Sequence, residues 1–128
     1  MLQKLVAKDP RNAVALNDLA WAQVQAKKPE SLQNAGRAAF LLPNAPNVLD
    51  TLGMAQLQAG KRDEGIASLR AAINLAPNAA LPRLHLAEHL VASGDRKGAS
   101  DMVRSVDRRQ LSPSEQEVLA KVKKATEG

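Results

Sequence analysis

Cysteine and tyrosine are missing from this chain, and it holds a single tryptophan and a single phenylalanine. Without cysteine there is no disulfide and no thiolate metal site, and the redox compartment stays undetermined on that count. So few aromatics leave little stacking surface for nucleic-acid bases. No run of 18 apolar residues occurs, so no helix of membrane-spanning character is expected. The opening Met1-Leu2-Gln3-Lys4 has no basic stretch followed by a long apolar segment, and so shows no signal peptide. Also absent are a GxGxxG loop, a Walker loop and a serine with a workable histidine and acid order.

What is present is 128 residues rich in aliphatic side chains and alanine, enough for one modest core of close-packed helices. The net charge of +5 is scattered. Its closest clusters, Arg108-Arg109 and Lys121-Lys123-Lys124, have no aromatics between them, which reads as a solvated basic surface with no nucleic-acid partner.

Three segments superpose. Leu16-x2-Leu19-Ala20 recurs as Leu49-x2-Leu52-Gly53 and again as Arg83-x2-Leu86-Ala87, with steps of 33 and 34 residues. Pro10, Pro43 and Pro77 keep the same 33- and 34-residue steps, so two independent markers share one period. Each unit reads as two helices. In the middle unit Leu49, Leu52, Gly53, Gln56 and Leu57 follow helical spacing, and Gly60 then suits a left-handed helix end. A second stripe runs through Ile66, Leu69, Ala72, Ile73 and Leu75 until Pro77, which cannot continue a helix. Gly94 takes the part of Gly60 in the third unit. Asn12 and Asn78 are expected near N-caps, and Pro46 in a first helical turn. Ala20, Gly53 and Ala87 are small because the two helices of a hairpin approach closely there.

The pattern resembles the tetratricopeptide repeat, Trp-x2-Leu-Gly-x2-Tyr, then Ala-x3-Phe, then Pro, over 34 residues. The middle unit supplies Leu49, Leu52, Gly53, Gln56, Gly65, Leu69 and Pro77 at those places. The first supplies Leu16, Leu19, Ala20, Gln23, Ser31, Ala35 and Pro43, one residue shorter near Lys27-Lys28-Pro29. The third supplies Arg83, Leu86, Ala87, Leu90, Ala99 and Val103, with Leu111 where the proline would be. The aromatics of the motif are replaced throughout, and the shared period carries the likeness over nearly the whole chain. The resemblance implies an all-α fold: a right-handed superhelical array of antiparallel helical hairpins, an α-solenoid, with a C-terminal capping helix. The expected organisation is a single array over 1–128. It comprises the end of a preceding repeat's second helix (1–9), repeats at 13–45, 46–79 and 80–111, and a capping helix at 113–127. Leu2, Leu5 and Val6 suggest an orphan helix cut from a longer array, whose exposed face would permit weak self-association. Ser112-Pro113-Ser114-Glu115 reads as a capping box opening the last helix, with Val118, Leu119 and Val122 on its apolar face. Ala125-Thr126-Glu127-Gly128 looks like a natural C-terminus.

Leu16-Asn17-Asp18-Leu19-Ala20-Trp21 and Val48-Leu49-Asp50-Thr51-Leu52-Gly53 are also similar to the C-terminal repeats of bacterial tetratricopeptide lipoproteins that accompany exopolysaccharide export and the PEP-CTERM sorting system. That likeness would imply a scaffold in the periplasm, anchored at the outer membrane.

One catalytic-looking motif stands in the third unit. His85-Leu86-Ala87-Glu88-His89 matches the H-x-x-E-H of inverted zinc peptidases. Two histidines four apart on a helix share a face, but zinc needs a third protein ligand and no downstream motif supplies one. Leu86 and Ala87 already have packing roles, so the expectation is no enzyme, no metal and no cofactor. The turns carry Lys27-Lys28, Lys61-Arg62 and Arg96-Lys97, a basic rim that reads as solvated. The family's partners bind a concave face lined by first helices. The candidate groove residues are therefore Asn17, Asp18, Trp21, Gln25, Asp50, Thr51, Met54, Gln58, His85 and Glu88, with Leu84 and Ala92 at matching places. This face is mildly acidic. The clamp with which chaperone-binding members hold a C-terminal carboxylate is missing, since Asn17, Trp21, Thr51, Leu81 and His85 stand at its places. Trp21 lies about 200° around the helix from Leu19, which should point inward, so the ring is expected on the groove side; the alternative places it between neighbouring helices as core. The function expected is a non-catalytic scaffold that binds a protein or peptide segment. The alternative is an accessory domain of an enzyme whose catalytic part lies upstream.

Overall fold

The computed structural model describes residues 10–127, with side chains from residue 12 onward. Among the described residues it holds seven α-helices and no strand. They are α1 (Pro10–Gln25), α2 (Glu30–Leu41), α3 (Pro46–Gln58), α4 (Arg62–Leu75), α5 (Ala80–Ala92), α6 (Arg96–Val103) and α7 (Pro113–Glu127), with a 3-10 turn at Arg108–Gln110 before α7. The orphan helix expected within residues 1–9 lies outside the described residues. The chain divides into two compact units, Met1–Leu75 and Ala76–Gly128.

In the first unit α1 packs on α2 and α3, α2 on α3, and α3 on α4. Ala20, Val24, Ala35 and Ala55 form a buried cluster, with Trp21, Leu32, Leu52 and Met54 packed against it. The α3–α4 crossing depends on two glycines. A Cβ at Gly53 would lie 2.8 Å from Leu69 Cγ, and one at Gly65 would lie 2.7 Å from Leu57 Cδ2. The two leucines fill the space that each glycine leaves, and Leu69 is fully buried.

All three hairpins turn through the same hydrogen-bonded cap. The N–H groups of Lys28, Lys61 and Asp95 donate to the carbonyls of Gln23, Gln56 and Leu90 at 2.8, 2.9 and 2.8 Å. Those of Lys27, Gly60 and Gly94 donate to Val24, Leu57 and Val91 at 3.0, 3.1 and 3.0 Å. This paired pattern is the Schellman motif, which puts the residue after the helix cap in the left-handed region. Gly60 (φ 81°) and Gly94 (φ 90°) adopt it freely, whereas Lys27 (φ 58°) does so with a Cβ. The hairpins share polar ties as well. Asn34 Nδ2 donates to Gln23 Oε1 at 2.8 Å, and at the matching places Ser68 Oγ donates to Gln56 Oε1 at 2.6 Å. In the third hairpin those places hold Leu90 and Met102.

In the second unit α5 packs on α6, and α7 packs on both. Asp95 caps α6 by accepting from the Gly98 N–H at 2.8 Å. Ahead of α7, the Ser112 N–H donates to Glu115 Oε1 at 2.8 Å and the Glu115 N–H to Ser112 Oγ at 3.2 Å, the reciprocal capping box expected from sequence. Leu119 and Val122 bury the apolar face of α7. Within the 3-10 turn, the side-chain and backbone hydrogen bonds from Arg109 hold the Asp107 carboxyl below its ordinary pKa.

Three expectations need correction. Asn12 lies inside α1, which already runs from Pro10. Asn78 does not cap α5, whose N-cap is Ala79 with no side-chain bond. Gln110 does that work from the 3-10 turn: its Oε1 accepts from the Ala80 N–H and its Nε2 donates to the Asn78 carbonyl, both at 2.9 Å. Leu19 is 50% exposed and not inward, because no described helix covers that side of α1; Leu86, its counterpart, is fully buried.

Candidate functional site

The first helices carry the candidate residues, and these fall into two sets, one in each unit. In the first unit α1 and α3 lie side by side. Along both helices the candidates pass from buried to exposed. Asn17, Asp50 and Thr51 are buried, Trp21 and Met54 half-buried, and Gln25 and Gln58 exposed. Asp18 is exposed near the start of this run. Thr51 Oγ1 is engaged locally, donating to the Asn47 carbonyl at 3.1 Å. Gln58 Nε2 donates to the Val24 carbonyl at 2.7 Å and so ties the end of α3 to the end of α1. Its Oε1 stays available as an acceptor.

Asn17 is 5% exposed, and its Oδ1 is buried with no hydrogen-bond partner. Such an orphaned acceptor costs about 1–3 kcal/mol. Its counterpart in the third repeat is Leu84, which is buried at no such cost. Trp21 and Met54 are matched in the repeat, and both rest against the alanine-rich cluster with part of their surface open. The ring therefore serves the core and the surface together, whereas the spacing argument offered these as alternatives.

In the second unit His85 is 7% exposed, Glu88 exposed and His89 half-buried. His89 Nε2 lies 3.4 Å from Ser93 Oγ. Among the described residues, no group of three or more His, Asp or Glu side chains is placed to hold a metal ion. A cleft of about 300 Å³ opens between α5 and α7, lined by Glu88, Val91, Ala92, Val118, Lys121 and Val122.

The α7 wall of this cleft was missed from sequence, where that helix was given only a covering role. A signal for it exists. Leu119-Ala120 follows Leu86-Ala87 by 33 residues, so α7 continues the series of first helices. Lys121 thereby joins Trp21, Met54 and Glu88 at one repeat place. Ala120 is exposed where Ala20 and Ala87 are fully buried, because no described second helix crosses it.

The chain matches no family model, and no curated protein matches it closely enough to count as a relative.

Proposed function

We propose that this chain is a non-catalytic interaction scaffold of the tetratricopeptide kind, its hairpins stacked in a right-handed superhelix, and that it binds an extended segment of a protein partner along its first helices. The observation that carries this reading is the side-by-side pairing of first helices, α1 with α3 and α5 with α7. Each pair presents a mixed surface: Trp21 and Met54 beside Gln25 and Gln58 in one, and an apolar floor between Glu88 and Lys121 in the other. Half-buried aromatic and methionine side chains next to unspent polar groups suit partner recognition, since the first supply contact area and the second supply orientation. The resemblance of the Leu16–Trp21 and Val48–Gly53 phrases to lipoprotein repeats supports a proposed role in the bacterial envelope, in exopolysaccharide export.

The test is affinity capture of envelope proteins from the source organism on immobilised wild-type chain and on a Gln25→Lys/Met54→Lys/Glu88→Lys variant. A protein held by the first and lost from the second, with the variant still helical, supports the reading. A captured protein held equally by both would overturn it.

A further inference from the structure

Phe40 is the chain's one phenylalanine and stands 85% exposed, whereas Val14, Leu19 and Leu75 keep about half of their surface covered. A lone apolar side chain at the surface is ordinary, so exposure by itself says little. The neighbours of Phe40 on α2 say more. This helix buries Ser31, Ala35 and Ala38, and Gly36, Arg37 and Phe40 lie on its other side.

Gly36 stands one turn before Phe40, where a helix brings the side chains of i and i+4 together. Lacking a Cβ, it leaves that flank of the ring bare. Glycine is a poor residue for the middle of a helix, and the fold supplies no reason for this one. A Cβ at Gly36 would meet nothing within 4 Å, while those at Gly53 and Gly65 would collide at a helix crossing. A close approach from outside the chain supplies the reason. Arg37, three residues before Phe40, makes no hydrogen bond or ion pair with a described residue. The outer side of α2 thus combines a bare ring, a gap beside it and an unspent guanidinium.

The α5–α7 cleft has the complementary form. At about 300 Å³ it lies at the small end of ligand sites, with room for one ring. Val91, Ala92, Val118 and Val122 make its floor apolar. Glu88 and Lys121 line it as well, exposed and neither paired with a described residue. The carboxylate suits a cation, and the ammonium suits the face of an aromatic ring. A ring with a cation beside it is therefore what this cleft selects, and α2 presents that pair on one face.

We infer that the Gly36–Phe40 face of α2 docks in the α5–α7 cleft of a second copy of this chain. Phe40 enters over the apolar floor beneath Lys121, Arg37 pairs with Glu88, and Gly36 lets α2 approach the walls. Unlike surfaces meet, so the contact is heterologous. The inference rests on the proposed function only in taking this cleft as a recognition surface, and it leaves the Trp21–Met54 surface to the partner.

The test is sedimentation equilibrium of the purified chain over about a hundredfold range of concentration. The wild-type chain should self-associate weakly, as small interfaces do. Phe40→Ser and Gly36→Gln should each weaken association about tenfold. Gly36→Gln should do so while raising the melting temperature, because glutamine is the better helix former. Arg37→Glu and Glu88→Arg should each weaken association alone, and together on one chain they should restore it, because the reversed charges meet again. A chain that stays monomeric throughout, association indifferent to Phe40→Ser or Gly36→Gln, or a double charge variant no tighter than the single ones would overturn the inference. The Phe40→Ser chain also keeps the two readings apart, since Phe40 lies on no first helix. The scaffold reading predicts that this chain captures the partner as the wild type does, whatever its self-association.

Discussion

In the first unit α3 lies against both α1 and α2; in the second, α7 lies against both α5 and α6. The arrangement is the same, but the means differ. α3 belongs to a full repeat and crosses α4 on Gly53 and Gly65, beneath Leu69 and Leu57. α7 is amphipathic, buries Leu119 and Val122, and begins with a capping box that α3 does not have. A helix in this place needs only an apolar face at the right period to bury a hairpin. The small residue of the motif becomes necessary when a second helix must also cross it. Exposed Ala120 beside α7's buried face shows the two requirements apart.

The largest expected effect comes from removing that face. Deleting residues 113–128 strips Leu119 and Val122 from the second unit. At about 1.5–3 kcal/mol for each buried aliphatic side chain, the loss should be about 4 kcal/mol. Calorimetry should show early melting, with aggregation following; an unchanged transition in a monomeric truncated chain would refute the equivalence of α7 and α3.

Next comes the glycine crossing, where matching hairpins pair Gly53 with Leu69 and Ala20 with Ala35. Leu69→Ala should cost about 3 kcal/mol as a buried truncation. Gly53→Ala should cost about 1–2 kcal/mol by itself, because its Cβ collides with Leu69. In the Leu69→Ala background the cost of Gly53→Ala should fall, since the Leu69 contacts are gone and only the Gly65 carbonyl oxygen, 3.0 Å from the added Cβ, still opposes the helix preference of alanine. Denaturant unfolding of all four proteins measures the coupling, and additive losses would show that the two positions do not share one volume.

Smaller still is the turn. Lys27→Gly should stabilise the chain by about 1 kcal/mol, while Gly60→Lys at the matching place should destabilise it by a similar amount. The smallest effect concerns the polar ties. Gln56→Ala should cost about 0.5 kcal/mol by removing the partner of the half-buried Ser68 hydroxyl, whereas Gln56→Leu with Ser68→Met, copying Leu90 and Met102, should be nearly neutral in thermal melts.

The helices and their hairpin pairing were legible because the period is long and doubly marked. Gly60, Gly94, Pro46 and the Ser112–Glu115 box sat where local backbone chemistry alone decides the outcome. Four features were not legible, each for a physical reason. The cap on α5 comes from Gln110, about thirty residues away, and no local rule reaches that far. Leu19 follows the motif, yet its burial depends on a covering helix and not on its own residue type. Trp21 was judged by its angle on the helix, but its length lets one edge reach the alanine cluster while another stays open. The α5–α7 cleft was hidden because α7 repeats only part of the first-helix motif, with Leu119-Ala120 in place but Gln116 where Leu16 and Leu49 stand.

Trp21 is the only tryptophan, so its emission reports the α1 surface alone. The most direct test of the scaffold reading is acrylamide quenching of that emission, with and without the captured partner segment at saturation. The account predicts partial quenching in the free chain and clear protection, with a shift in emission, in the complex. Emission and quenching that stay unchanged at full occupancy would contradict it.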